Sequence, residues 1–428
     1  MKDSILFLFT KQFPYGHQET YLFNELPYLI KEFKKVIIIP YDEFSYLPNQ
    51  NRIQDITGIE ILCINNSINK LSLFQKIKRE FVTWYIMLFE IVKGRESFNH
   101  IKYNKRNFSQ LRYSYACANN LSDYIKKNKF TNILFYNYWL HGGVVISSIF
   151  NKFVNKNKYP IVSRAHAYDV YHKDWYTIYP TSKYLFLGFE TWKVVQTDLI
   201  FPISTHAYNH FVKLFPTFKA KFKIARLGVI APIKINEQKL KNNLEPYLFV
   251  SCSNIDENKR IYKIPELLSM LTIAVKWVHF GPGDSNDVEK VKREISKFNL
   301  EKSCTLVGLM PHSEVINFYE NNSVDLIINL SQIEGIPVSL MEAASFGIPM
   351  VATNTVGNPE IVNNENGFLI DVNFDLPVLA DQLNKYFNNK EEIESKRHAA
   401  KATFFKHYDA SKNYPDFIKE IKDFANEY

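Results

Sequence analysis

Two glutamates, Glu334 and Glu342, flank the predicted start of a helix and have seven residues between them. The segment before them, residues 325–330, lacks alternation of polar and apolar residues, which is typical of a strand covered on both faces. Pro337 suits the start of a helix because that position needs no amide donor, and Gly347 predicts the helix end. The pattern predicts a strand, a loop carrying Glu334, and a helix that carries Glu342 about two turns inside it.

The start of this helix offers a place for an anion between the two carboxylates. The free amides of a first helical turn and the helix dipole both favour a negative charge. A ligand with hydroxyl groups at both ends and phosphates in the middle would match, and a nucleotide-sugar has that composition. The alternative is an ordinary strand–loop–helix unit of a parallel sheet, in which Glu334 caps the helix and Glu342 is solvated.

Residues 334–360 resemble the donor-binding signature of a known enzyme family. The matching segments are Glu334-Gly-Ile-Pro, Glu342-Ala-Ala, Gly347-Ile-Pro and Gly357-Asn-Pro-Glu360. They are similar to the retaining GT-B glycosyltransferases of glycosyltransferase family 4, which include bacterial exopolysaccharide and capsule enzymes. Two glutamates followed by a Gly-x-Pro turn form the family signature. The resemblance is specific over residues 246–370 and diffuse over residues 41–130.

Alternating strand and helix patterns predict an α/β protein with two doubly wound halves. A length of 428 residues exceeds one ordinary core, so two domains are expected. The resemblance implies the GT-B architecture, in which two Rossmann-like domains face a cleft. The predicted parts are an N-terminal acceptor-side domain, a linker, a nucleotide-sugar-binding domain and a C-terminal helix that returns to the N-terminal domain, over residues 1–230, 231–245, 246–412 and 413–428 respectively.

The resemblance implies a role for each residue of the donor site. Glu342 would accept hydrogen bonds from the ribose hydroxyls, and Glu334 would bind hydroxyls of the donor sugar as a positioning group rather than a nucleophile. His166, which follows the predicted strand 160–165, would face the donor sugar from the N-terminal domain. Further donor contacts are expected from the loop and first helical turn, at Gly335, Ile336, Val338 and Ser339.

Members of the family carry an arginine and a lysine, five residues apart, that bind the donor diphosphate. Lys259 matches the lysine, whereas Asn254 stands at the arginine position. Arg260, next to Lys259, is the candidate for the missing charge. Two cations suit a diphosphate leaving group because negative charge grows on that group in the transition state.

The loop after the first predicted strand matches the glycine-bearing loop of the family, which lies beside the donor phosphate and the acceptor. This chain has one glycine there, Gly16, where two are usual. His17 and Glu19 either contact the acceptor or cap the following helix. Trp139 and His141, after a later strand, either contact the acceptor or pack against the sheet.

These assignments predict a retaining, metal-independent transfer of a sugar from a UDP- or GDP-linked donor. A glycan or lipid-linked oligosaccharide of a surface polysaccharide pathway is the expected acceptor. The nucleotide-sugar is a substrate, so neither a cofactor nor a metal is predicted. One alternative is a catalytically inert GT-B protein that binds a nucleotide-sugar or acts as a scaffold, which Asn254 favours. A nucleotide-sugar epimerase is a second alternative, and it would form product without an acceptor.

Net charge and cysteine content limit which classes of partner and which cellular compartment are expected. The net charge is +8, yet the chain lacks an RNA-binding signature, which excludes nucleic acid and favours an anionic membrane surface or a phosphorylated substrate. Four scattered cysteines without a CxxC pair disfavour a zinc site and suit a reducing compartment. The chain shows neither a signal peptide nor an apolar run of about 20 residues. A cytoplasmic protein, peripheral on the inner face of the plasma membrane, is expected.

A basic and aromatic segment, residues 71–92, predicts a helix with two interpretations. Its apolar residues surround most of the helix, which favours burial in the core. The alternative is a helix that rests on a membrane beside a lipid-linked acceptor.

Overall fold

The structure, a computed structural model, describes residues 4–16, 19–42, 52–53, 56–64, 71–93, 101–171, 188–233 and 245–428. The chain divides into two compact units, the first made of Met1–Ala225 with Tyr414–Tyr428 and the second of Arg226–Asn413. The sequence placed this boundary at residue 230, followed by a linker. Residues 234–244 of that linker lie outside the described residues.

A six-stranded parallel sheet forms the centre of the first unit, in the order β3-β2-β1-β4-β5-β6. Its strands are β1 (Ile5–Thr10), β2 (Lys35–Pro40), β3 (Ile59–Ile61), β4 (Ile133–Asn137), β5 (Ile161–Ala165) and β6 (Leu199–Pro202). Every residue of β1, β4, β5 and β6 is buried, as expected for strands covered on both faces. The strand order reverses between β1 and β4, so the loops after these two strands lie at the switch point, where open α/β sheets bind ligands.

Helices cover both faces of this sheet. They are α1 (Leu22–Glu32), α2 (Leu73–Lys93), α3 (Ile101–Asn128), α4 (Gly142–Ile149), α5 (Ala167–Val170), α6 (Glu190–Gln196) and α7 (Thr205–Leu214). Ser204 caps α7 by accepting a hydrogen bond from the Ala207 amide at 3.1 Å. Residues 222–225 run beside β6: Phe222 forms an isolated bridge with Ile200, and the amides of Lys223 and Ala225 donate to the carbonyls of Ile200 and Pro202 at 3.0 and 3.1 Å.

Helix α2 does not match the favoured expectation of a core helix. It buries one face through Val82, Thr83, Ile86, Met87 and Glu90. Seven apolar side chains on the other side are more than half exposed, namely Leu73, Phe74, Ile77, Phe81, Trp84, Leu88 and Val92. Within the part of the chain that the structure describes, the prediction that the whole of this helix is buried is therefore wrong. None of the described helices is both long and apolar enough to cross a membrane.

The second unit repeats the architecture with a parallel sheet of order β12-β11-β10-β7-β8-β9. Its strands are β7 (Tyr247–Cys252), β8 (Val275–Phe280), β9 (Cys304–Gly308), β10 (Leu326–Asn329), β11 (Met350–Thr353) and β12 (Gly367–Ile370). The helices are α8 (Ile264–Ser269), α9 (Ser285–Lys297), α10 (His312–Asn321), α11 (Val338–Ser345), α12 (Leu376–Phe387) and α13 (Lys390–His407). The last helix, α14 (Ala410–Glu427), belongs to the first unit from Tyr414 onward. The switch point of this sheet lies between β7 and β10. The predicted α/β class with two doubly wound halves is confirmed.

Candidate functional site

Glu334 lies in the loop between β10 and α11, and its carboxylate is surrounded by hydrogen-bond donors. The Lys259 ammonium forms an ion pair with Oε1 of Glu334. The same oxygen accepts from Ser331 Oγ at 3.1 Å and lies 3.4 Å from Asn329 Nδ2. The side chain is 13% exposed, so the loop holds a nearly buried carboxylate at the carboxyl end of β10.

This loop is fixed by a neighbouring asparagine that sequence reasoning missed. Asn258 Nδ2 donates to the Ile333 carbonyl at 3.0 Å, and the Ile333 amide donates back to Asn258 Oδ1 at 2.9 Å. The Asn258 carbonyl accepts from the Gln332 amide at 2.8 Å. On the other side, a Cβ at Gly357 would lie 1.5 Å from the Gly335 carbonyl oxygen, so glycine permits this close approach. The Glu334 loop is therefore held by hydrogen bonds to Asn258 on one side and by close backbone packing against Gly357 on the other.

Arg260 has a different place from the one the sequence suggested. Its guanidinium donates to the carbonyls of Leu330 at 2.6 Å, Val372 at 2.7 Å and Ser331 at 3.3 Å. The residue is buried and its backbone has φ of +52°, the left-handed region. Because its donors are engaged with main-chain oxygens, Arg260 holds the site together and does not replace the missing phosphate-binding arginine. Asn254, at that arginine position, is exposed.

Helix α11 begins beside Glu334 with open amides. Pro337 is its N-cap, and no side chain caps the helix in the described part of the chain. The alternative in which Glu334 caps the helix is therefore wrong. The first-turn residues Val338 and Ser339 are half-buried, with their amides at the positive end of the helix dipole. Gly347 follows the helix with φ of +68° and ends it as predicted.

Glu342 lies inside α11 and is 5% exposed, so the alternative in which this carboxylate is solvated is also wrong. Its Oε1 is 2.6 Å from Nε2 of His312, the first residue of α10. This hydrogen bond raises the pKa of His312. Sequence reasoning did not connect His312 with Glu342, because the two residues belong to different strand–helix units.

The loop after β1 carries Gly16 and Glu19 in the first unit. Gly16 has φ of +64°, which favours glycine. Glu19 is 3% exposed, and its carboxylate accepts from the amides of the preceding loop and from the Trp139 indole rather than capping α1. Trp139 therefore packs at the sheet edge. His17 lies outside the described residues.

His166 follows β5 and is enclosed by aromatic rings. The centroid of its ring lies 4.4 Å from that of Trp139, 5.0 Å from Tyr138 and 5.6 Å from Tyr21. Burial lowers the pKa of His166 to about 3, with a further contribution from the Arg164 charge. The imidazole is therefore neutral near pH 7. Its Nε2 has no hydrogen-bond partner among the described residues, which leaves one ring nitrogen available for a ligand.

The structure thus groups the predicted residues at two sheet edges. Lys259, Glu334, the amides of α11 and Glu342 follow β7 and β10 at the switch point of the second unit. Gly16 and His166 follow β1 and β5 in the first unit. The loops of the second unit combine a cation, open amides, the nearly buried carboxylate of Glu334 and the buried carboxylate of Glu342. This is the composition expected for binding a phosphate flanked by hydroxyl groups.

Sequence comparisons match the second unit. Residues 232–403 match the protein family described as "Glycosyl transferases group 1". AmsK, an amylovoran biosynthesis glycosyltransferase of Erwinia amylovora, is 30% identical over 183 residues, which are 41% of this chain and 44% of that protein. WcaL, a putative colanic acid biosynthesis glycosyltransferase of Escherichia coli strain K12, is 28% identical over 194 residues, 44% of this chain and 47% of its own. The matched part spans about half the length of these relatives.

Comparison of solved structures covers both units. The crystal structure of Anabaena Alr3699/HepE in complex with UDP and glucose matches 98% of this chain and 100% of that chain. The TM-score is 0.63 and the sequence identity is 15%. A likeness at this identity shows the fold, and the predicted GT-B fold is confirmed.

Proposed function

We propose, from the premise that residues 232–403 form a glycosyl transferases group 1 domain within a GT-B fold, that this chain transfers a sugar from a nucleotide-sugar in polysaccharide biosynthesis. The observation that carries the proposal is the uncapped start of α11, which lies between the nearly buried carboxylate of Glu334 and the buried carboxylate of Glu342. Relatives named as amylovoran and colanic acid biosynthesis glycosyltransferases support the setting.

In this proposal the donor lies across the loop between β10 and α11. Glu342 accepts hydrogen bonds from the ribose hydroxyls, with His312 holding the carboxylate from behind. The amides of Gly335, Ile336, Val338 and Ser339 face the diphosphate, together with Lys259. Glu334 exchanges part of its contact with Lys259 for hydroxyls of the donor sugar. The HepE structure, with UDP and glucose bound, supports a UDP-linked donor, and a GDP-linked donor fits the same contacts.

The proposed reaction is metal-independent and retains the configuration of the sugar. Lys259 and the helix dipole stabilise the charge that develops on the leaving diphosphate. The acceptor hydroxyl of a glycan or lipid-linked oligosaccharide attacks from the face that the diphosphate leaves, and a phosphate oxygen takes its proton. His166 contributes a hydrogen bond from a neutral imidazole, since its pKa of about 3 keeps it uncharged. Glu334 positions the sugar and forms no covalent bond.

Thermal melting of the purified chain with UDP-, GDP-, ADP- and CMP-sugars tests the donor site. A donor at about 100 times its Kd stabilises the folded protein by about 2.7 kcal/mol, so one nucleotide class is expected to raise the melting temperature. The Glu342→Ala variant is expected to lose that shift. Glu391→Ala, an exposed glutamate on α13, serves as the matched control and keeps it. Failure of every donor to shift the wild-type chain would argue against the proposal.

A second candidate function is an inert protein that binds a nucleotide-sugar without transferring it. Two features favour this candidate. The Arg260 guanidinium donates to main-chain carbonyls, and an exposed asparagine, Asn254, stands at the family's arginine position. Of the two cations that family members place on the diphosphate, this loop therefore offers Lys259. The two functions separate when a bound donor is incubated with acceptor glycans. Release of free nucleotide and growth of the glycan identify the transferase, whereas unchanged donor identifies the inert binder.

We also propose that α2 contacts an anionic membrane, which would keep the chain at the inner face of the plasma membrane. The exposed apolar side chains of α2 include Phe81 and Trp84. The acidic residues of this helix are engaged: Glu80 pairs with Arg79 and Arg112, and Glu90 accepts two backbone amides. Lysines of the helix therefore dominate the charge that faces a lipid surface.

Co-sedimentation with lipid vesicles tests this contact. Vesicles that contain phosphatidylglycerol are expected to bind the chain more tightly than neutral vesicles. The double variant Phe81→Ser/Trp84→Ser is expected to lose at least about tenfold in partitioning, since each buried aromatic contributes about 1.5–3 kcal/mol. Phe405→Ser removes an exposed aromatic from α13 and is expected to leave binding unchanged. Equal binding by all three chains would exclude α2 as the contact.

A further inference from the structure

The carboxylate of Glu19 fills an anion-binding nest in the first unit. Its Oε1 accepts from the Lys11 amide at 2.9 Å and from Trp139 Nε1 at 2.6 Å. Its Oε2 accepts from the amides of Gln12 at 2.8 Å and Phe13 at 2.7 Å. Three successive backbone amides that converge on one site form the kind of concavity that binds phosphate. Here an internal side chain occupies that concavity.

The position of this nest in the sheet indicates a role in ligand binding. It directly follows β1 at the switch point of the sheet, where doubly wound folds place phosphate groups of their ligands. Glu19 reaches it from a backbone with φ of +59°, a conformation that side-chain-bearing residues rarely adopt. Glu19 thus combines an unfavourable backbone conformation with a carboxylate buried among these amides.

Around the filled nest, neutral polar atoms lack partners. Tyr41 Oη, Tyr138 Oη and His166 Nε2 have no hydrogen-bond partner among the described residues, although each residue is at least 94% buried. His141 Nδ1, also without a partner there, belongs to a ring that stacks with Tyr41 at a centroid distance of 6.0 Å. Burial lowers the pKa of both histidines, so these groups are uncharged near pH 7. Hydroxyl groups are their natural partners, and aromatic rings suit the apolar faces of a sugar.

We propose that Glu19 is a specificity-determining residue, an internal anion that keeps phosphate out of the β1 nest and reserves this sheet edge for an uncharged, hydroxylated ligand. The exclusion has two causes, since the carboxylate occupies the space and repels a second anion at close range. Resting on the proposed function, this inference makes the acceptor's reacting end a neutral sugar ring rather than a phosphorylated group.

Emptying the nest is expected to create a phosphate site. In the Glu19→Ala variant, the amides of Lys11, Gln12 and Phe13 lose their acceptor and become available. Inorganic phosphate at about ten times its Kd is expected to raise the melting temperature of this variant by a few degrees more than that of the wild type. Chloride at equal ionic strength corrects for general salt effects. Subtracting the melting-temperature shift of the wild type corrects for stabilisation by phosphate that binds beside Lys259.

Glu19→Gln is the matched control, because its amide fills the same space without charge. It is expected to show no added phosphate shift, which would identify vacancy of the nest as the cause. Should Glu19→Ala fail to fold in chloride, phosphate is expected to restore its folding, and failure to do so overturns the proposal. Equal phosphate shifts in Glu19→Ala and wild type also overturn it. The wild-type donor titration tests the proposed function separately, so the two failures are distinguishable.

Discussion

Replacing Glu334 by glutamine is expected to lower kcat/KM for sugar transfer by roughly 100-fold. The carboxylate is nearly buried, forms an ion pair with Lys259 and accepts hydrogen bonds from Ser331 and Asn329. A hydrogen bond from a neutral hydroxyl to a charged acceptor contributes about 1.5–3 kcal/mol, which corresponds to a factor of roughly 10 to 150. Glutamine loses the charge and turns one acceptor into a donor, so the hydroxyls of the donor sugar lose that contribution. Steady-state kinetics with varied donor at a fixed, saturating acceptor concentration measure the loss.

A second variant, Glu334→Ala, separates positioning from nucleophilic catalysis. If Glu334 formed a covalent bond to the sugar, removal of the carboxylate in Glu334→Ala would abolish transfer, and added azide would restore sugar release by taking its place. We expect measurable residual transfer and no rescue by azide. Glu289→Gln makes the same chemical change in a lysine-paired glutamate on the surface of α9, and is expected to leave kcat/KM unchanged. Azide rescue would contradict the positioning role.

Prediction from sequence succeeded best where backbone pattern alone determines the geometry. The apolar segment before Glu334 became the buried strand β10, and Gly347 ended α11 in the left-handed conformation. A strand, a loop and a helix in a parallel sheet bring the loop to the carboxyl edge irrespective of side-chain detail. The location of the candidate donor site therefore followed from residues 325–349 alone.

Side-chain direction was the part that sequence could not supply. Arg260 follows Lys259 in the chain, yet its left-handed backbone turns the guanidinium toward the carbonyls of Leu330 and Val372. His312 and Glu342 are 30 residues apart and meet through packing of α10 beside α11. Local spacing carries no information on contacts of this kind, because they depend on how separate strand–helix units pack.

Helix α2 illustrates a different limit. Its apolar residues lie on both sides, and composition alone favoured burial of all of them. In the structure Ile86 and Met87 are buried, while Phe81 and Trp84 remain exposed. Which face packs inward is decided by α3 and α6, the neighbours of α2. Helix α6 is distant in sequence, and the way α3 folds back on α2 cannot be deduced from the residues of α2.

Removing the Glu25 carboxylate is expected to destabilise the first unit by about 3–5 kcal/mol, the usual loss when one partner of a buried ion pair is deleted. Glu25 on α1 and Arg164 on β5 are both fully buried, with 3.1 Å between Glu25 Oε2 and Arg164 Nε. Tyr136 Oη donates to Glu25 Oε1 at 2.7 Å. Arg164 also donates to the Ala225 carbonyl at 2.8 Å and lies over the Phe417 ring of α14. The Glu25→Ala variant would leave a buried guanidinium without its counter-charge.

Guanidinium chloride unfolding of the wild type and Glu25→Ala measures this loss in the transition that belongs to the first unit, since two units need not unfold together. Glu420→Ala is the matched control, because it breaks a more exposed ion pair of the same unit, Lys223–Glu420, with Glu420 on α14. It is expected to cost at most about 1 kcal/mol. The double variant Glu25→Leu/Arg164→Met is expected to lose less than Glu25→Ala alone, because it leaves no unpaired buried charge. A loss in Glu25→Ala no larger than in Glu420→Ala would contradict the assignment of this buried pair as the anchor that joins α1, β5 and α14.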